Sequence, residues 1–140
     1  MPKPKLLKDL DLSREALAQL MDFSVLNSDA SRADIDKGIE LSLKYHFKGF
    51  HTNTFWSAYV AERVAHAGIE AGWPVAFPFG CVSTDVKIAE AKEGARLLKG
   101  KPWVIDMVAN SGMLKSGEYE YYKNDIAEIV KIAHDGGAEC

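Results

Sequence analysis

The chain has 140 residues, of which 47% are hydrophobic and 26% are charged, and its net charge is -3 at neutral pH. These values are typical of a single soluble globular domain and leave no room for two. The acidic balance and the lack of a clustered Lys/Arg stripe argue against a nucleic-acid-binding protein. No stretch reaches the roughly 20 apolar residues of a membrane-spanning helix, and the first residues lack the apolar segment of a signal peptide. We therefore expect a cytoplasmic protein with no nucleic-acid or membrane partner.

Short apolar runs alternate with segments in which apolar residues recur at helical spacing. Apolar runs of about five to eight residues, bounded by turn residues, are typical of strands buried on both faces of a parallel sheet. In the helical segments, positions such as Ile35, Ile39 and Leu43 form one stripe that would face such a sheet. The predicted elements of the first half, in chain order, are a lead-in helix over 5–19 with a cap at Ser13, a strand over 20–26, a helix opened by Ser31, a strand over 47–53, and a helix over 55–67 that Gly68 and Gly72 end. Those of the second half are a strand over 74–80, a helix capped by Ser83 or Thr84, a strand over 101–110, a loop over 110–117, and a helix from Tyr119 that Gly136 ends.

The predicted strand centres recur at intervals of roughly 25 to 30 residues, each followed by a helix, which is the period of a (β/α) barrel. A complete barrel has eight such units over about 250 residues. The predicted fold is therefore α/β: a single domain over residues 1–140 with four of the eight parallel β/α units of a TIM-type barrel, preceded by the lead-in helix. An open doubly wound sheet is the alternative, although no Gly-x-Gly-x-x-Gly or Walker-type loop follows any strand.

Cysteine and histidine positions do not indicate a metal centre. The two cysteines, Cys81 and Cys140, are too few for a disulfide framework and lack the spacing of metal ligands. His46, His66 and His134 are scattered along the chain and form no ligand set. The sequence therefore indicates neither a metal nor another cofactor.

Asp106 is the one carboxylate in the apolar run from Lys101 to Asn110. An ionised carboxylate in a buried strand is costly unless it is paired, hydrogen-bonded or used. One interpretation is a structural aspartate that meets a loop amide or a neighbouring lysine. The other is a catalytic acid or base, because catalytic residues of barrel enzymes lie at the carboxyl ends of the strands.

Residues 105–121, followed by Asp125 and Ile126, resemble the fourth-strand signature of the deoxyribose-phosphate aldolases. Other segments match the same family in the same order, from about residue 20 to the end of the chain. They are residues 20–26 for the first strand, Asp34, Ile35 and 45–47 for the next helix and its exit, and 77–80, 84–87, Glu90 and Ala91 for the third strand and its helix.

The resemblance implies an enzyme that cleaves 2-deoxyribose 5-phosphate to glyceraldehyde 3-phosphate and acetaldehyde through a lysine Schiff base, without a metal. Asp106 matches the proton-relay aspartate of the family, and Asp22 and Ser24 match a polar pair near the substrate hydroxyls. The alternative for Asp22 and Ser24 is a capping pair at the end of a strand. His51 stands where the family often has a cysteine. It is either a polar residue of the substrate pocket or a half-buried histidine of the fold. The implied partner is a small phosphorylated sugar.

The nucleophile of the family has no counterpart in this sequence. The chain ends where the fifth strand should begin, so the Schiff-base lysine of the sixth strand, the second lysine and the phosphate-binding loops are missing. An amine nucleophile needs a pKa depressed by burial or by a second cation. We expect Lys87, in the third helix, and Lys115, in a loop, to be solvated and unable to replace it. The chain alone is predicted to be inactive as an aldolase.

A half barrel has unpaired strand edges and an uncovered inner face. We therefore expect self-association, either as two halves that close one eight-stranded barrel or as a sandwich of two open sheets. Two further interpretations stay open. One is a non-catalytic half barrel that binds a small molecule or assembles with a partner, and the other is a truncated piece of a full-length aldolase.

Overall fold

Four parallel strands in chain order form the sheet, in the part of the chain that the computed structural model describes, residues 13–140. A doubly wound sheet reverses its strand order at a switch point, whereas this sheet runs β1-β2-β3-β4 with each strand pairing the next. The order is that of a barrel, and the prediction of four TIM-type units is confirmed. The strands are β1 Asp22–Val25, β2 Gly49–Thr52, β3 Glu70–Val75 and β4 Trp103–Met107, and the helices are α1 Arg14–Ala18, α2 Arg32–Tyr45, α3 Thr54–Val64 continued by a 3-10 turn Ala65–Ala67, α4 Thr84–Leu97, α5 Ser111–Lys115 and α6 Tyr119–Asp135.

Capping residues fix the starts of α1 and α2, as the sequence predicts. The Ser13 hydroxyl accepts a hydrogen bond from the Ala16 amide. At α2, Ser31 and Asp34 form a capping box, in which the Asp34 carboxylate accepts from the Ser31 amide at 2.9 Å. These hydrogen bonds from Ser31 hold the pKa of Asp34 below its usual value. Of the predicted lead-in helix over 5–19, residues 5–12 lie outside the described residues.

The hydrophobic core lies between the sheet and its helices. Phe50, Trp73 and Ile105, from the three strands β2, β3 and β4, are buried against apolar residues of the helices. Two helix glycines allow the close approach: a Cβ on Gly38 would lie 2.3 Å from the Phe50 ring, and one on Gly94 would lie 2.8 Å from Trp73. The helices therefore pack at a distance that a larger residue at either position would not allow.

The third strand begins earlier than the predicted range of 74–80. Gly72 terminates no helix: it lies inside β3 and pairs with His51 of β2. Pro74 is tolerated in the strand because the β2 pairing ends at Gly72 while the β4 side continues, so the missing N–H breaks no ladder to β2. Residues 76–80 form a turn, closed by a hydrogen bond from the Gly80 amide to the Ala76 carbonyl at 2.8 Å.

The segment predicted as a loop over 110–117 contains the short helix α5. Asn110 begins it, since its side-chain oxygen accepts a hydrogen bond from the Met113 amide at 3.2 Å. Asn is a favourable N-cap residue, and Gly117 with a positive φ follows the helix. Ser111 and Gly112 lie inside this helix, and Ser116 and Gly117 end it.

The expectation that Lys87 is solvated is wrong. Its side chain is fully buried, 2.5 Å from the Asp125 carboxylate of α6, and it donates a second hydrogen bond to the Val108 carbonyl at 3.0 Å. Thr84 donates to the other Asp125 oxygen at 2.9 Å. Lys87 shares the sheet-facing stripe of α4 with Ala91, four residues later. That spacing is the sequence signal that places it inside.

Candidate active-site face of the sheet

The face of the sheet opposite the helices carries the polar side chains, and we call it the inner face. Side chains alternate along a strand, so the neighbours of the buried Phe50, Trp73 and Ile105 point to this side. The strand register places Ser24 of β1 beside His51 of β2, and His51 beside Gly72 of β3. The inner-face residues used below are Asp22, Ser24, Gly49, His51, Glu70, Gly72, Pro74 and Asp106.

Three side chains form a cluster across this face. The His51 Nδ1 atom lies 3.5 Å from the Asp106 Oδ2 atom, and its Nε2 atom lies 3.7 Å from the Asp22 Oδ2 atom. The His51 side chain is 6% exposed, whereas Asp22 is 47% and Asp106 is 72% exposed. One enclosed imidazole thus lies between two carboxylates that are open to solvent.

Two strand glycines make room for this cluster. A Cβ on Gly72 would lie 2.4 Å from the His51 ring, and a Cβ on Gly49 would lie 2.5 Å from the Asp22 carboxylate. Sequence reasoning missed both glycines, because their role depends on strand parity and register rather than on any motif. Glycine inside a strand often marks such a close approach.

The four residues predicted for the site lie on one face. Asp106 is the fourth of the five residues of β4, near its carboxyl end. The side chain that the structure places within 4 Å of its carboxylate is the His51 imidazole, rather than a lysine. Ser24 is exposed and aligned with His51 in the next strand. The predicted roles of Asp22, Ser24, His51 and Asp106 stay predictions, while their common location is a feature of the fold.

A second charged cluster borders the inner face. Lys48 lies 3.3 Å from Glu139 and 3.8 Å from Glu70. Hydrogen bonding to Glu139 raises the pKa of Lys48, and burial raises the pKa of Glu70. Burial, with a smaller effect of the Asp106 carboxylate, also raises the pKa of the Cys140 thiol. A lysine shared by two carboxylates stays cationic, which is the opposite of what an amine nucleophile requires.

The described residues form neither a metal-binding cluster nor a membrane-spanning helix. Within residues 13–140, no group of three or more His, Cys, Asp and Glu side chains is arranged to hold a metal ion. None of the helices in the same range is long and apolar enough to cross a bilayer.

No family model matches the chain. It is 36% identical over 116 residues to the deoxyribose-phosphate aldolase of Mycoplasmopsis pulmonis, which covers 83% of this chain and 51% of that enzyme. It is 35% identical over 130 residues to the same enzyme of Thermococcus kodakarensis, covering 91% of this chain and 57% of the relative. The resemblance to the deoxyribose-phosphate aldolase family is confirmed. The chain spans about half the length of these curated relatives.

Solved aldolase structures share the fold. The tetrameric deoxyribose-phosphate aldolase of Aeropyrum pernix superposes with a TM-score of 0.77 at 23% identity, over 90% of this chain and 51% of that one. Four β/α units of the present chain thus correspond to about half of an aldolase barrel. The comparison supports the fold independently of the sequence motifs.

Proposed function

We propose that this chain carries the proton-relay side of a deoxyribose-phosphate aldolase active site. The reaction of that family is reversible cleavage of 2-deoxyribose 5-phosphate to glyceraldehyde 3-phosphate and acetaldehyde. The observation that carries the proposal is the position of Asp106. It lies near the carboxyl end of β4, open to the inner face and beside His51, where barrel enzymes place their catalytic groups.

The proposed roles follow from exposure and chemistry. Asp106 moves protons to and from the reacting carbon centre, because a carboxylate that opens to the inner face lies within reach of a substrate bound there. Asp22 accepts hydrogen bonds from the hydroxyls of the sugar, Ser24 accepts or donates one, and His51 completes that polar wall. The small phosphorylated sugar is the proposed substrate, and no cofactor or metal takes part in the proposal.

The Schiff-base step needs a lysine that the described residues do not supply. Lys87 is buried in an ion pair with Asp125, and Lys48 is held between two carboxylates with a raised pKa. Neither is a neutral amine open to the inner face. We therefore expect the 140-residue chain alone to be inactive, with the nucleophile and the phosphate site contributed by a polypeptide equivalent to the other half of the barrel.

The first test is a trapping experiment on the chain alone. Purified protein is incubated with 2-deoxyribose 5-phosphate and borohydride, and its mass is measured. We expect no adduct, and no acetaldehyde in a parallel sample without borohydride. A covalent adduct at any lysine would contradict the proposed division of the active site.

The second test adds the half of the relative that this chain does not span. The chain is co-expressed with the part of the Thermococcus kodakarensis relative that lies outside the matched region, and acetaldehyde release is measured. We expect activity with wild-type protein and a loss of about 100-fold or more with Asp106→Asn, as for removal of a general acid–base group. Activity that survives the substitution would show that Asp106 is not the relay.

A second candidate function is a non-catalytic half barrel that assembles with a partner or with itself. The observation that favours it is the sheet edge. In the described residues, no strand pairs with the outer side of β1, and β4 gains only a short parallel bridge between Val104 and Glu139. Open edges favour pairing with another polypeptide. In that case the chain associates whether or not Asp106 is intact.

A further inference from the structure

His51 is an enclosed polar group between two open ones. Its side chain is 6% exposed, so the two carboxylates beside it present far more surface to a ligand than the ring does. Its Nε2 atom is buried and makes no hydrogen bond in the described structure, although Asp22 lies 3.7 Å away. A buried polar nitrogen without a partner is costly. The Asp22 carboxylate is the acceptor beside it.

Each ring nitrogen faces a different carboxylate. Nδ1 faces Asp106 on β4, and Nε2 faces Asp22 on β1. β2, which carries His51, neighbours β1 but not β4, since β3 lies between them. The ring reaches Asp106 across β3 because Gly72 has no side chain there: a Cβ would lie 2.4 Å from the ring. Gly72 is thus the residue that lets one imidazole contact carboxylates from both sides.

We infer that His51 is a positioning residue that couples Asp22 to Asp106 across the inner face. An imidazolium donates to both carboxylates, and a neutral ring donates to one of them. Either state fixes the direction of the carboxylate that accepts. The carboxylates then meet the ligand, and the imidazole acts through them. This inference deepens the proposed function and rests on it only for the role of Asp106 as the relay.

The test is an NMR measurement on the 140-residue chain. Long-range proton–nitrogen correlation reports Nδ1 and Nε2 of His51 separately at one fixed pH. Asp106→Asn is expected to shift the Nδ1 resonance more than that of Nε2, and Asp22→Asn is expected to do the reverse. Both aspartates are exposed, so neither change threatens the fold. Asp135→Asn, at the end of α6, is the matched control and should shift neither nitrogen.

Gly72→Ala provides the second variant. The added methyl displaces the ring, so both nitrogen resonances should move and the response to Asp106→Asn should disappear in the double variant. If Asp106→Asn and Asp22→Asn leave both nitrogens where they are in the wild type, the coupling is absent and the inference fails. A response identical at both nitrogens for both variants would also overturn it, because it would show no pairing of one nitrogen with one carboxylate.

Failure of this inference is distinguishable from failure of the proposed function. Suppose that the NMR test shows the nitrogen-specific coupling while the co-expressed halves release no acetaldehyde that depends on Asp106. That result rejects the aldolase role and leaves the coupling intact. Asp106-dependent activity without the coupling rejects the inference alone. The Asp106 carboxylate carbon gives an independent readout: its resonance should shift in His51→Gln and stay unchanged in Asp135→Asn.

Discussion

Lys87 and Asp125 form a fully buried ion pair, at 2.5 Å, that connects helices α4 and α6. Removing two charges from water costs several kcal/mol per ion, and attraction offsets this only when the remaining donors and acceptors are satisfied. Here the Val108 carbonyl accepts a hydrogen bond from the Lys87 ammonium, and the Thr84 hydroxyl donates one to the Asp125 carboxylate. Because Val108 follows β4, the pair also anchors the chain two residues after Asp106.

Replacing only the cation should therefore destabilise the fold. Lys87→Met leaves the Asp125 carboxylate buried without its partner, and we expect a loss of about 3–5 kcal/mol in the free energy of unfolding. Chemical denaturation measures it. Lys92→Met is the control, because Lys92 is exposed on the same helix and its loss should cost about 0.5 kcal/mol or less. Equal effects of the two substitutions would show that the buried pair does not stabilise the native state.

At the scale of elements, glycines set the distance between helices and sheet. Gly38 of α2 faces Phe50 of β2, and the Cβ of an alanine would lie 2.3 Å from that ring. In an exposed helix, alanine is more favourable than glycine by about 1 kcal/mol. Overpacking a core, in contrast, lowers stability by about 1–3 kcal/mol. Since the ring is fully buried, it has little room to move, and the steric term outweighs the helical preference.

We therefore expect Gly38→Ala to lower the free energy of unfolding by about 1–2 kcal/mol. Phe50→Leu removes the ring atoms that the new methyl would contact. In a double-mutant cycle, Gly38→Ala should be less harmful in the Phe50→Leu background than in the wild type. Strict additivity of the two changes would indicate that the helix moves away from the sheet instead of meeting the ring.

The start of α2 should make stability depend on pH. Hydrogen bonds from Ser31 lower the pKa of Asp34 in the folded chain. The stabilisation is therefore present above the ordinary carboxyl pKa, and it is lost as pH falls through the lower folded value. Asp34→Asn should flatten this part of the acid unfolding curve, measured by circular dichroism. Glu40→Gln, an exposed change in the same helix, should not.

The sequence predicts the element order well, because strand and helix periods and the Ser31 cap are local signals. It fails where a tertiary contact determines the role of a residue. The position of Gly72 after a helix predicts a helix stop, whereas in the structure it admits the His51 ring. The charge of Lys87 predicts a solvated side chain, whereas its partner Asp125 lies 38 residues away in the sequence. The resemblance assigns Asp22, Ser24, His51 and Asp106 to one site, but strand register is what brings the imidazole between two carboxylates.

At the scale of the whole molecule, the inner face that residues 13–140 form is acidic. Asp22, Glu70 and Asp106 lie on it, and Glu139 borders it; Lys48 is the fixed cation beside them. A symmetric closure of two copies would bring two such faces together. The unpaired edge of β1 favours association, whereas like charges across the closed interior oppose it. A basic inner face on a different polypeptide would meet no such repulsion.

The balance between edge pairing and repulsion leads to a prediction about salt. We expect the purified chain to self-associate at micromolar concentration, and the association to strengthen as salt rises toward 0.5 M, since screening shortens the range of repulsion between the two inner faces. Sedimentation equilibrium at several salt concentrations measures it. Asp106→Asn removes one negative charge per copy from the inner face and should strengthen association at low salt, whereas Asp135→Asn, on α6, should not. A monomer at every salt concentration would rule out closure by two copies and direct the search to a partner with a basic inner face.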